Sequence, residues 1–313
     1  MSLPHVHLLL NHFPIIGLII ALGLYLFSLA GKSDDLKRAS LVIFTGIALL
    51  SIPTYMSGNG AAEKIQKLPG VSKAVLQAHN NAALEAITFM EITGLLAWLG
   101  LWQFRRFGQA RNWTVWSVLV LSAISVYLMA ITGNTGGEIR HTEIRTVQQA
   151  EKQAGDPVPL FDAAVVSEFV SAHKWMWPTC ETLHFVGLSL LLGVVFLVDL
   201  RMFGFMKNVS FPTLHRLMPW AILGFGINVL TGMAFFVAES GQYTKSVPFQ
   251  WKMLFVLVAG ANALYFTMFD DVWKIEAGDS APVTAKFAAG SAVVLWVAIM
   301  WCGSMLPFLG DSF

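Results

Sequence analysis

The sequence predicts an all-α integral membrane protein, with eight transmembrane helices arranged as two tandem four-helix bundles. Three observations carry this expectation. Of 313 residues, 56% are hydrophobic and 12% are charged. An ordinary soluble domain carries ~25% charged residues, so this chain cannot cover a water-facing surface. Eight apolar runs, near 7–30, 40–57, 82–103, 113–133, 176–200, 217–238, 252–270 and 287–309, approach the ~20 residues that a helix needs to span a bilayer. Strand alternation is absent, which argues against a closed barrel. Unpaired backbone groups are too costly in lipid for any other fold.

The first run opens with Pro4, acceptable in a first helical turn. Pro14 lies deeper, and it predicts a kink or a fresh helix start. Met1 to His5 carries no basic segment, so the run is expected to remain as a span rather than act as a cleaved signal. His5 and His12 are seven apart and share a helix face, whereas His7 points elsewhere unless the chain bends. His79 opens the third run, and His141 lies just past the fourth. Alternate helix ends fall on one side of a membrane, so His7, His12, His79 and His141 are expected in one layer.

Run 2 ends in Ser57-Gly58-Asn59-Gly60-Ala61-Ala62-Glu63 and run 4 in Thr132-Gly133-Asn134-Thr135-Gly136-Gly137-Glu138. The two heptads align without a gap, which predicts an internal repeat of two related hairpins across residues 1–141. Their small residues permit close helix approach, or leave room for a flat ligand. In run 3, Glu91 lies about 18 Å along the helix from His79, at ~1.5 Å per residue. An ionisable group at that depth is a candidate for moving protons.

Residues 142–175 form the expected connector. A polar stretch and the break Pro157-Val158-Pro159 precede a short amphipathic helix carrying Phe161, Val165 and Phe169, then the interfacial Trp175 and Trp177. The second bundle, 176–313, starts with Cys180-Glu181-Thr182-Leu183-His184. Glu181 and His184 share a helix face, so Glu181 is a candidate to orient the imidazole or carry its proton. Cys180 and Cys302 lie far from any C-x-x-C, excluding covalent haem attachment and a four-thiolate cluster.

Lysines and arginines set the orientation. Lys32, Lys37, Arg38, Arg105, Arg106, Arg111, Arg201, Lys207, Arg216, Lys274 and Lys286 crowd short loops on one side. That side is expected to be cytoplasmic, which puts both termini and the histidine layer in the periplasm of a bacterial inner membrane. No basic stripe suggests nucleic acid.

The first half resembles a family of uncharacterised bacterial membrane proteins marked by H-x4-H-F-P-I, here His7 to Ile15, and by a G-G-E-x-x-H ending, here Gly136 to His141. The second half is similar to another such family through Leu183-His184-Phe185-Val186-Gly187-Leu188 and Asp199-Leu200-Arg201. More loosely, it is similar to copper-resistance and cytochrome-b561-like four-helix proteins. The resemblance points to His7, His12, His79, His141 and His184 as cofactor-binding residues, and leaves His5, His173 and His215 as bystanders.

Two neutral imidazoles from different helices at one depth suit a b-type haem. The expected iron ligands are His12, or its neighbour His7, with His79 and His141. This makes the chain a membrane electron-transfer subunit, docked to other subunits of a redox complex and exchanging electrons with quinone or a periplasmic partner. Alternatives are a haem-free scaffold subunit, or a copper or zinc protein with Glu63 and Glu138 behind the ligands.

Overall fold

The computed structural model describes residues 2–69, 71–140, 160–269 and 271–309. Every regular element among them is helical. Eight stretches are long and apolar enough to cross a bilayer, from Leu3–Ala30 to Val283–Leu306, as the sequence predicts for a multi-pass membrane protein. In chain order the helices are α1 Leu3–Leu10, α2 His12–Ala30, α3 Asp34–Ile65, α4 Lys73–Phe107, α5 Asn112–Arg140, α6 Ala163–Ala172 and α7 Met176–Met202. There follow α8 Phe211–His215, α9 Met218–Ala238, α10 Ser240–Lys245, α11 Val247–Phe269, a 3-10 turn Asp271–Lys274, and α12 Val283–Leu309.

Local chemistry sets the boundaries. The first span breaks at Asn11 because Pro14 has no N–H to give the Leu10 carbonyl. Ser33 caps α3 by accepting from the Leu36 N–H, and Asp34 and Asp35 complement the helix dipole. Ser72 caps α4 in the same way. Gly108 ends α4 at φ 74°, a left-handed conformation that glycine reaches without strain.

The first four spans close on themselves. Around the ring, α2 packs on α3, α3 on α4, α4 on α5 and α5 back on α2. Leu18, Tyr25, Phe44, Met90, Ala97 and Val118 fill the lumen. Tyr25 Oη donates to the Val115 carbonyl at 3.0 Å, which satisfies the hydroxyl and ties α2 to α5.

The last four spans form an open set rather than a closed ring. Helix α9 packs on α7, α7 on α12 and α12 on α11, while α9 and α11 turn their outer faces to α4 and α3 of the first bundle. The second core therefore belongs to both halves: Leu49 and Ile52 of α3 and Trp98 of α4 pack with Leu191, Phe225, Ala259 and Trp296. Trp98 Nε1 donates to Thr267 Oγ1 at 2.9 Å, and Trp102 Nε1 to the His215 carbonyl at 2.8 Å. Such bonds lock register, because each buried indole N–H has one acceptor in reach.

The expected surface helix is present as α6. Asp162 caps it, Asn81 Oδ1 accepts from the Ala163 N–H at 3.0 Å, and Glu85 Oε1 accepts from the Phe161 N–H at 3.2 Å. Glu85 thus anchors a helix start. The preceding polar stretch, with Pro157-Val158-Pro159, lies outside the described residues.

At the opposite end of the molecule, the Asp199-Leu200-Arg201 motif is structural. Arg201 is 0% exposed and donates to the carbonyls of Val209, Glu276 and Asp279 at 2.6, 3.2 and 2.9 Å. Its guanidinium also lies on the Phe211 ring at 4.6 Å. One side chain so fastens two loops, which is what a planar five-donor group does best.

Candidate functional site

Of the histidines expected in one layer, His7 and His79 turn onto neighbouring helices. His5 and His12 share the outward face: both are exposed, and His5 Nδ1 bonds to Ser2 Oγ, at 2.7 Å. His7 lies on the other face and turns inward onto α3. His12 opens α2 just after the break at Asn11. His141 lies outside the described residues.

His7 and His79 are held by the same device. His7 Nδ1 lies 3.0 Å from the Thr54 carbonyl, and His79 Nδ1 lies 3.1 Å from the Thr132 carbonyl. A carbonyl only accepts, so the network assigns the proton to Nδ1 in both rings. Thr135 Oγ1 adds a second contact to His79 Nδ1 at 3.2 Å while donating its own proton to the Ile131 carbonyl at 3.0 Å. In the neutral imidazole, Nε2 then carries the free lone pair.

A helical glycine faces each ring. A Cβ at Gly58 would come within 2.9 Å of His7 Cε1, and one at Gly136 within 3.1 Å of His79 Cε1. Side chains at these two positions would displace the imidazoles. The two histidines thus dock on equivalent pairs, Thr54-x-x-x-Gly58 and Thr132-x-x-x-Gly136. This register is three residues away from the heptad alignment, which paired Gly58 with Gly133. The signal was present in the sequence, but a longer run of small residues at the helix ends obscured it.

The two devices sit on neighbouring helix pairs. Helix α1 brings His7 to α3, and α4 brings His79 to α5. A polar cavity of about 240 Å³ between α3, α4 and α10 is lined by Asn59, Glu63, Lys73, Gln77 and Asn80. Glu63 is spent on this cavity and on Lys245 at 4.0 Å, and Glu138 accepts from Asn134 at 2.9 Å. The groups behind the imidazoles are thus backbone carbonyls, not the carboxylates the sequence suggested.

Elsewhere the candidates separate. Glu91 is 1% exposed and pairs with Ser51, whose Oγ is 2.8 Å from Glu91 Oε1 and 2.8 Å from the Ala48 carbonyl. The Ser51 hydroxyl is the donor to Glu91 Oε1, which ties α3 to α4. His184 is oriented by Thr231, at 2.8 Å, while Glu181 is exposed. His215, expected to be a bystander, is 3% exposed and packs between Trp102 and Trp273.

Among the described residues, no group of three or more His, Cys, Asp or Glu side chains converges as a metal cage. A copper or zinc site made of protein ligands asks for such a group. A haem asks the protein for two axial donors, and His7 and His79 each keep an Nε2 lone pair beside a glycine, Gly58 and Gly136. The donor set fits haem. Compared with family models, curated proteins and solved structures, the chain has no match.

Proposed function

We propose that the protein is an electron-transfer subunit of a bacterial inner-membrane redox complex, with a b-type haem held by His7 and His79 of the first bundle. The observation that carries this reading is the twin device. Two imidazoles from different spans each give Nδ1–H to a helix carbonyl, rest on a glycine, and keep Nε2 for a ligand. A hydrogen bond from the far ring nitrogen fixes the ring's tautomer and angle and raises its basicity as a metal ligand. Bound there, haem supplies one-electron chemistry. His7 and His79 would hold the group through their Nε2 atoms. By the density of Lys and Arg in the short loops, the layer faces the periplasm.

The deciding measurement is the visible spectrum of the purified protein, oxidised and dithionite-reduced, followed by acid–acetone extraction. The expected result is a bis-histidine spectrum whose chromophore leaves with the solvent. A folded, colourless preparation from haem-replete cells overturns the reading and favours a scaffold role. Copper or zinc without iron in elemental analysis favours the metal alternative.

A further inference from the structure

The haem reading makes no use of the polar cavity. Helix α3 packs on α4, and α10 packs on α3. Where the three meet, the end of α3 supplies Asn59, Glu63 and its C-cap Gln66. The first turns of α4 supply Lys73, Gln77 and Asn80, and α10 supplies Ser240. At about 240 Å³ the cavity is smaller than the ~300 Å³ at which drug-sized pockets begin, so its ligand is small.

The amides are committed at their nitrogen ends. Asn59 Nδ2 donates to the Tyr55 carbonyl at 3.2 Å, and Gln66 Nε2 donates to the Glu63 carbonyl at 3.2 Å. A carbonyl only accepts, so these orientations are fixed. Gln77 Nε2 donates at 3.2 Å to Asn81 Oδ1, which is fixed as an oxygen because it also accepts from the Ala163 N–H at 3.0 Å. Asn59 Oδ1, Gln66 Oε1 and Gln77 Oε1 are left as acceptors with no hydrogen bond among the described residues.

The charges are open as well. Glu63 Oε2 is 4.0 Å from Lys245 Nζ, and α10 closes on the other oxygen, since a Cβ on Gly241 would come within 2.8 Å of Oε1. The Lys245 side chain is 72% exposed, and so loose a surface pair leaves the carboxylate able to take a second cation. Lys73 has no hydrogen bond or ion pair among the described residues.

This combination selects a ligand. A primary ammonium has three N–H donors, and Glu63 with the amide oxygens gives it acceptors. An oxyanion on the same molecule meets Lys73. A simple anion would face mostly acceptors. A calcium or magnesium ion asks for about six or more oxygens within ~2.6 Å of one point, and a lysine in the wall opposes it. An apolar ligand would have only Ala62 and Leu76 to rest on.

We propose that this cavity binds a small zwitterion, its primary ammonium on Glu63 and the amide oxygens and its oxyanion on Lys73. A free amino acid and the phosphoethanolamine head of a phospholipid share this chemistry. Both reach helix ends at the margin of a membrane. The site needs neither haem nor electron transfer.

The test is isothermal titration calorimetry of the full-length protein in phosphatidylcholine nanodiscs, with glycerophosphoethanolamine and with glycine. The expected result is saturable binding of one or both. Affinity falls at least tenfold in Glu63→Gln and in Lys73→Met, each the loss of a charge-assisted hydrogen bond. The trimethylated counterparts, glycerophosphocholine and glycine betaine, have no N–H to donate and bind at least tenfold more weakly to the wild type. That comparison needs no substitution, so it stands whether or not a variant folds. Nanodiscs containing phosphatidylethanolamine separate the sources: loss of probe binding in them assigns the site to the lipid head, and unchanged binding assigns it to the free solute. Binding of neither probe to the folded protein, equal affinity for the trimethylated forms, or unchanged affinity in folded Glu63→Gln and Lys73→Met overturns the proposal. Colourless protein that binds a probe refutes haem alone, and haem-loaded protein that binds none refutes this site alone.

Discussion

Gly58→Ala isolates the feature on which the haem reading stands. A methyl there would lie 2.9 Å from His7 Cε1 and 3.2 Å from Nδ1, where non-bonded carbons settle at about 3.5–4.0 Å. The ring has to retreat by roughly 0.6–1 Å to relieve that contact. The bond from Nδ1 to the Thr54 carbonyl is 3.0 Å, and a retreat of this size along it exceeds the ~3.5 Å at which it stops being a hydrogen bond. Loss of such an outer anchor lowers metal affinity by roughly 10–100-fold. Fold stability moves little, because alanine is favoured over glycine in a helix by about 1 kcal/mol and the lost bond costs about the same. Haem occupancy and thermal stability therefore separate. Gly137→Ala is the control, since nothing stands within 4 Å of its Cβ position. The measurements are haem per polypeptide, the reduced spectrum and a thermal melt. Full occupancy with an unshifted reduction potential in Gly58→Ala would refute the claim that this glycine and carbonyl set the imidazole.

Three further outcomes follow from the same geometry. His79→Ala should abolish haem binding, whereas His12→Ala, at an exposed position, should keep it, and equal loss in both would restore His12 as the ligand. Trp98→Phe should cost about 1 kcal/mol of stability, one buried hydrogen bond to Thr267, with no change in the spectrum; a spectral change would link the shared core to the cofactor. Cysteines placed at Asp35 and Leu68, both exposed, should react with impermeant reagents from opposite faces of the membrane, with the Leu68 side periplasmic. Labelling from one face would break the span order on which the histidine layer depends.

The sequence by itself determined the class and the number of spans. Those follow from hydropathy and helix rise, which act along the chain. It also held the twin Thr-x-x-x-Gly pattern, but helix ends rich in small residues align in more than one register. Three-dimensional contact decided that Gly58 and Gly136 are the equivalent pair. Three matters were set only by the tertiary structure. Which histidine of the first span turns inward depends on the break that Pro14 imposes, and periodicity fixes a face without saying which face meets α3. The groups behind the imidazoles are backbone carbonyls, which every residue carries and no sequence pattern marks. The open edge between α9 and α11, filled by α4 and α3, arises because helices in lipid associate through shape and hydrogen bonds rather than through hydrophobicity. All eight spans are strongly apolar, so hydropathy alone cannot say which neighbour each one keeps.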